Sequence, residues 1–424
     1  MSRDLSLFIP HRGRPKISLG IPESFDLYLC PPACVRRVSI RAIRNDARGH
    51  MGFLYMSEAD LATGAYEQRL FEAVDNVLAS LDRQPRAFFI HLNCVDDFLG
   101  TDEDAMLAKL RERFPATGFA TMHMNPIAAD KGLSTGLRIH ERLYSMLDPI
   151  GPASGRDDAV NLIGNFASLE RDCELPRILE AWGIGEVRQL FACTTYEEYQ
   201  ALAKSRLNIV LANIGSYAAE CMEKRLGIPQ LSAPVDYEFA NIEACYLALG
   251  KALGAIPAEQ ISLEAPHCEG SARRNPADVI MTQAKDRARS AIKRARKHLG
   301  DRAVIVDSSA AMRPFALAKA LMGYGFNVCA VFALHEKPED AEARDWVLEN
   351  APHVNVVRSE SYDDIIELGL PRNAVCVGFD CAYLLKAPHF VALQKDEGLF
   401  GYQAVWQLMK LMMDSLTSTT EWEG

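Results

Sequence analysis

The sequence predicts an α/β protein of three doubly wound domains with mostly parallel sheets, and three observations carry that reading. Short β-rich apolar runs alternate with amphipathic stretches of helical length along most of the 424 residues, the pattern that parallel strands with crossover helices produce. A chain of this length exceeds what one hydrophobic core organises, so more than one domain is expected. Two stretches, "DPIGPASGRDD" and "EAPHCEGSARRNP", have linker composition and place the domains at roughly 1–150, 151–265 and 266–424.

Taken in order, the first domain carries the strands "RAFFIHL" (Arg86 to Leu92) and "GFATMHM" (Gly118 to Met124), with the amphipathic helix "EDAMLAKLRERF" between them. The second carries "AVNLIGNF" (Ala159 to Phe166), "VRQLFAC" (Val187 to Cys193) and "LNIVLAN" (Leu207 to Asn213). Its helix "SYAAECMEKRL" is expected to take Ser216 as N-cap and to stop at Gly227, with Pro229 close behind. In the third, "RAVIVDSS", "NVCAVFAL", "VNVVRS" and "AVCVGF" read as strands. The charge run Lys285 to Arg302, "KDRARSAIKRARKHLGDR", reads as a solvated helix face leading into the first of these. It has no interleaved aromatic residues to stack on bases.

Composition excludes several function classes. A formal charge of -10 argues against broad binding to nucleic acid or to anionic membranes, both of which need a basic footprint. The opening "MSRDLSLFIPHRGRPKISLG" lacks the apolar stretch of a signal peptide, and no later run is long enough to span a membrane. A cytoplasmic protein is expected, and its eleven cysteines are expected as reduced thiols, most of them core filler.

Nucleotide machinery is missing. There is no G-x-x-x-x-G-K-[ST] loop and no G-x-G-x-x-G between a strand and a helix, and "MGYGF" (Met322 to Phe326) reads as a helix C-cap. A nucleophile elbow is also absent. His123 in "TMHMNPI" reads as a satisfied, partly buried residue. The pair His267–Cys268 and the pair Cys376–Cys381 do not match zinc spacing.

Two stretches remain. "LYLCPPACVRR" holds Cys30 and Cys34 around Pro31 and Pro32, with Arg36 and Arg37 next to them. The prolines exclude a helix interior, so the thiols are expected on a rigid turn. Thiolates on a loop near backbone N–H groups and positive charge suit an iron–sulfur cluster; packing explains two thiols equally well. "HLNCVDDFLGTDED" puts Cys94 directly after a strand, where open α/β sheets present functional groups, and follows it with Asp96, Asp97, Gly100 and Asp102 at a helix start. Helix capping alone would account for those carboxylates.

Together these residues resemble the nitrogenase component 1 family, which includes the molybdenum–iron protein subunits and the dark-operative chlorophyll-biosynthesis reductases. The family pattern of a cysteine, five residues and Gly-Asp-Asp reads here as Cys94, Gly100, Thr101 and Asp102, with threonine in place of the first aspartate, and Cys34 matches the upstream cysteine. "SYAAECMEKRLGIP" is similar to the family's second-domain helix, and "RAVIVDSSAAMRPFALAKALMGYGFNV" and "GLFGYQAVWQLMKLM" to its third domain. The resemblance implies Rossmann-like domains and makes Cys34 and Cys94 cluster ligands, with Cys30 standing in for a further family cysteine that has no other counterpart.

The resemblance also implies a P-cluster-like 8Fe–7S or a 4Fe–4S cluster shared with an α-type subunit, as in an α2β2 heterotetramer. Electrons would come from an ATP-dependent iron protein, consistent with the missing nucleotide loops. The family's cofactor-holding cysteine and histidine have no counterparts in "VLANIGS" and "VALQKDEGLFGY", and His389 lies too far upstream. A β-type, electron-transferring subunit without catalytic residues of its own is expected. Its compact length suggests a nitrogenase-like reductase, with methylthio-alkane reductase as the leading candidate. A metallocluster assembly scaffold and a tetrapyrrole reductase subunit are alternatives within the fold, and a metal-free α/β binding protein is the alternative outside it.

Overall fold

The computed structural model describes residues 5–7, 21–32, 50–93, 100, 102–123, 133–151, 155–165, 167–260, 263, 275–333, 336–358, 361–417, 419–420 and 422. Three sheets, mostly parallel and flanked by helices, make an α/β fold. The chain forms two compact units, Met1–Phe166 with Arg188–Gln230, and Ala167–Val187 with Leu231–Gly424.

The first sheet contains β1 (Leu5–Leu7), β2 (Ser24–Cys30), β3 (Met51–Tyr55), β4 (Ala87–Leu92) and β5 (Gly118–His123), in the order β1-β3-β2-β4-β5. β1 runs antiparallel to β3, and the other pairs are parallel. Helices α1 (Glu58–Thr63), α2 (Tyr66–Ser80) and α3 (Glu103–Arg113) connect the strands. α2 forms because Tyr66, Leu70, Ala73, Val74, Val77 and Leu78 fall at helical spacing on one buried face. That face packs on Phe25, Leu27 and Leu29 of β2 and on Phe88, Ile90 and Leu92 of β4. Each fully buried side chain of this size contributes about 1.5–3 kcal/mol. α3 starts where the Asp102 carboxylate accepts the Ala105 N–H at 3.0 Å, an N-cap as the acidic run suggested.

Helix α4 (Thr135–Ser145) precedes the second sheet, in which β6 (Ala159–Ile163), β7 (Glu186–Gln189), β8 (Leu207–Val210) and β9 (Gln230–Ser232) take the order β7-β6-β8-β9. β6 and β8 are parallel. The expected strand "VRQLFAC" ends at Gln189 and continues as a single 3-10 turn, Leu190–Ala192. Helices α5 (Leu175–Ala181), α6 (Tyr196–Ala201) and α7 (Ser216–Leu226) follow in sequence, α5 in the second unit and α6 and α7 in the first. Ser216 is not the N-cap: it is already helical, and Gly215 takes that place. A Cβ at Gly215 would sit 2.6 Å from Gly164 Cα, so close backbone approach decides the position and no side-chain cap is left room. Gly227 ends α7 at φ 70°, as expected. Within the first unit, Phe89 and Met122 of the first sheet share one core with Ile163 and Val210 of the second and with Ala219 and Met222 of α7.

In the second unit, α8 (Phe239–Ala252) and α9 (Pro276–Leu299) lead to a five-stranded parallel sheet. Its strands β10 (Ala303–Asp307), β11 (Asn327–Phe332), β12 (Asn355–Val357), β13 (Val375–Val377) and β14 (His389–Val391) take the doubly wound order β12-β11-β10-β13-β14. The connecting helices are α10 (Pro314–Gly323), α11 (Ala341–Asn350), α12 (Tyr362–Glu367) and α13 (Phe379–Leu385), and α14 (Gly401–Asp414) closes the unit. The basic run lies on α9, whose Ala288, Ala291, Ile292 and Ala295 are buried while its charges face outward. The Gly401–Tyr402 start of α14, within "GLFGYQAVWQLMKLM", has a physical reason. Gly401 has φ 57°, and a Cβ on it would overlap Tyr246 Oη and Glu174 Oε1. The buried Glu174 carboxylate accepts from Tyr246 Oη at 2.8 Å, from the Tyr402 N–H at 2.6 Å and from the Gln403 N–H at 3.1 Å, satisfying the first turn of α14.

Candidate functional site

The two cysteine-bearing stretches leave the first sheet from neighbouring strands. β2 and β4 pair in parallel through Tyr28 opposite His91, so both point their C-terminal ends the same way. Three contacts tie those ends together. The Asn93 side-chain amide donates to the Leu29 carbonyl at 2.8 Å and lies 3.3 Å from Met56 Sδ, and the Met56 N–H donates to the Cys30 carbonyl at 3.3 Å. Asn93 is 3% exposed. Its hydrogen bond therefore forms in a dry place, where leaving the amide without a partner would be costly.

Cys30 differs from the rigid-turn expectation. It is the last ladder residue of β2, opposite Tyr55, and is packed with Tyr28, Met51 and Phe53. Pro31 then ends the strand by removing the next donor. Cys34, Arg36, Arg37, Cys94, Asp96, Asp97 and Thr101 lie outside the described residues, as do His267 and Cys268. Gly100 has φ 66°, a left-handed turn that leads to the Asp102 cap.

Sequence reasoning missed a buried polar pair on the same face of β2 as Cys30. Asp26 and His91 are 0% and 4% exposed, and His91 Nε2 lies 2.9 Å from Asp26 Oδ1. The Tyr28 ring stacks on the imidazole at 3.9 Å between centroids. A signal existed: Phe25, Leu27 and Leu29 alternate with Asp26, Tyr28 and Cys30, the period of a strand buried on both faces. On β5, His123 is satisfied, its Nε2 lying 2.8 Å from Glu103 Oε1. Burial works to raise the Glu103 carboxyl, but the hydrogen bonds from His123 and Thr121 outweigh it and hold the group below the ordinary range. Beyond the end of β3, hydrogen bonds from Ser57 and then Arg69 lower Asp60 to about 2.

Three thiols lie at the third sheet. Cys376 and Cys381 are fully buried in the core of the third sheet, with Cys329 packed against it. Burial raises the Cys381 thiol well above its usual value and Cys329 to about 11, so neither is a ready thiolate. His389 Nδ1 is 3.0 Å from the Ser415 carbonyl. Among the described residues, no three His, Cys, Asp or Glu side chains converge to hold a metal ion. The thiol the described part offers at the strand ends, Cys30, fits an iron–sulfur group in kind: it is a soft donor in an apolar shell.

Against known proteins, the Nitrogenase component 1 type Oxidoreductase family matches residues 17–369. The chain belongs to the nitrogenase component 1 family. Members solved as "Nitrogenase Cp1 at pH 6.5" and "Nitrogenase Cp1 at pH 5" share its fold, with TM-scores of 0.68 and 0.58 at 14% and 13% identity. They cover 96% and 97% of this chain, which covers 94% and 90% of theirs. Among curated relatives, the nitrogenase iron-molybdenum cofactor biosynthesis protein NifE of Clostridium pasteurianum is 26% identical over 42% of this chain. The NifE protein of Rhizobium meliloti is 23% identical over 35%. These matches span only 38% and 32% of the relatives' own lengths. As a nitrogenase component 1 family member, the chain has the α/β architecture its sequence predicted, and no described helix is long and apolar enough to cross a membrane.

Proposed function

We propose that this chain is the β-type, cluster-holding subunit of a heteromeric nitrogenase-like reductase. In this reading Cys34 and Cys94, with Cys30 as a third donor, supply thiolates to a P-cluster-like or 4Fe–4S cluster shared with an α-type partner in an α2β2 assembly. An ATP-dependent iron protein delivers the electrons. The observation that carries the reading is the clamp at the strand ends: β2 and β4 run in parallel, and the amide of Asn93, one residue before Cys94, holds the carbonyl of Leu29, one residue before Cys30. When bound, the cluster would supply one-electron transfer; the chain's own part is to hold the thiols at a fixed spacing in an apolar surround. Reductive cleavage of small organic sulfur compounds, as in methylthio-alkane reductase, is the substrate class proposed, on general likeness to compact members of the family.

The test is anaerobic purification with any co-purifying partner, followed by iron and acid-labile sulfide analysis and EPR. Several irons per chain, lost in Cys34→Ser and Cys94→Ser, are expected. A folded, iron-free complex would sink the reading.

A second reading, a metallocluster assembly scaffold, is favoured by the NifE relatives, whose names assign them to cofactor biosynthesis. The two separate on one comparison. A reductase subunit turns over a methylthio-alkane with the iron protein and keeps its cluster; a scaffold passes its cluster to an apo-acceptor and shows no turnover.

A further inference from the structure

A second cleft opens in the first unit, at the opposite ends of the strands from the cysteines. It measures about 600 Å³ and lies at the N-terminal ends of β4 and β5, where Arg86 precedes one strand and Gly118 begins the other. This falls within the usual range for small-molecule sites. Arg86, Arg111 and Arg142 line it together with Asp148, and Glu197 and Glu141 lie beside Arg86 and Arg142.

The ordinary explanation is that arginines near helix C-termini complement the helix dipole, and Arg111 and Arg142 do lie in the last turns of α3 and α4. Their contacts leave donors over. Arg111 reaches across to the Phe119 carbonyl at 2.9 Å. Arg86 spends one nitrogen on Glu197 at 3.0 Å and lies over the Tyr196 ring at 4.7 Å. Arg142 faces Glu141 at only 3.7 Å. Each guanidinium carries five N–H donors in a fork that matches phosphate oxygens.

From this geometry we infer that the Arg86–Arg111–Arg142 cleft binds a phosphate-bearing anion, either free phosphate or the phosphoryl group of a small metabolite. Among the described residues no cysteine lines it. Pro115, Ala116 and Met146 beside the arginines give an organic phosphate some apolar surface, so an ester should bind more tightly than the bare ion.

Isothermal titration of the whole protein with inorganic phosphate and with ribose 5-phosphate, in chloride buffer of matched ionic strength, tests this. Binding with Kd below about 1 mM is expected for at least one ligand. Equal affinities would identify free phosphate as the ligand, and tighter ribose 5-phosphate a phosphate ester. Arg142→Gln should weaken binding about tenfold and Arg142→Lys less. Asp148→Asn should tighten it, a gain that a purely structural role for these residues would not give. Circular dichroism melts confirm that the variants fold. No binding of either ligand, or affinities unmoved by folded Arg142→Gln and Asp148→Asn, would overturn the inference.

Discussion

Asn93→Ala is the substitution that bears most directly on the clamp between the two cysteine-bearing strands. It removes a donor that meets the Leu29 carbonyl at 2.8 Å in a position only 3% exposed. The lost hydrogen bond is worth about 1 kcal/mol, and the space left by the amide adds a comparable cavity cost, so about 2 kcal/mol of stability should go. Asn93→Asp is harsher, since it sets a carboxylate against that carbonyl without access to water; a loss of about 4 kcal/mol is expected. Urea denaturation of the anaerobically purified protein measures both. Iron per chain should fall with the clamp, because thiols whose strand ends drift no longer share one cluster. If Asn93→Ala stays within about 0.5 kcal/mol of the parent and keeps its full iron, the clamp does not position the site. If stability falls while the iron is retained, Asn93 supports the sheet alone.

Other outcomes follow from single contacts. Gly401→Ala combines a left-handed backbone with overlap on Tyr246 and Glu174, and should cost about 3 kcal/mol in thermal or urea unfolding; an unaffected variant would show that this helix start can shift. Asp26→Ala would leave His91 buried without the carboxylate it faces at 2.9 Å, a loss of about 3 kcal/mol, whereas Asp26→Asn should cost less. Burial lowers His140 from 6.5 to about 4, so the unfolded chain takes up the proton first and stability is lost as pH falls through that window. Between pH 7 and 5 the loss is about 2 kcal/mol, and folded His140→Gln should abolish it; an unchanged pH slope would refute the assignment. Asp340 runs the other way. Burial raises it from 3.8 to about 6, so the folded state keeps the proton longer and stability falls as pH rises through that window. Asp340→Asn should flatten that slope in urea titrations at pH 4 to 7, and a slope left intact would exclude Asp340 as its source.

Much of this architecture was readable where apolar runs were uninterrupted. "RAFFIHL" and "AVNLIGNF" read as strands because both faces of those strands are buried, and β4 and β6 are entirely so. β2 was missed because Asp26 breaks its apolar run, and only the fold brings the compensating His91 from a position 65 residues away. Ser216 looked like a cap from local preference, and a backbone contact between Gly215 and Gly164 overrode it. At the site, "HLNCVDDFLG" carried part of the family resemblance, whereas the Asn93 clamp was not legible, since its partner is a main-chain carbonyl that any sequence would supply. The arginine cleft was invisible for a similar reason: Arg86, Arg111 and Arg142 are scattered singly along an acidic chain, and only the packing of α3 and α4 beside β5 brings them to one place.

The antiparallel strand β1 has a consequence for how the protein is handled and made. It covers the outer edge of β3, which would otherwise offer a row of unpaired N–H and C=O groups to any passing strand. Although β1 is synthesised before its partner, it cannot make this pairing until β3 emerges more than forty residues later. A nascent or partly unfolded chain therefore carries an adhesive edge for a time. A bulky fusion ahead of Leu5, or removal of the first seven residues, would prolong that interval and favour edge-to-edge association. Affinity handles are better placed away from this strand.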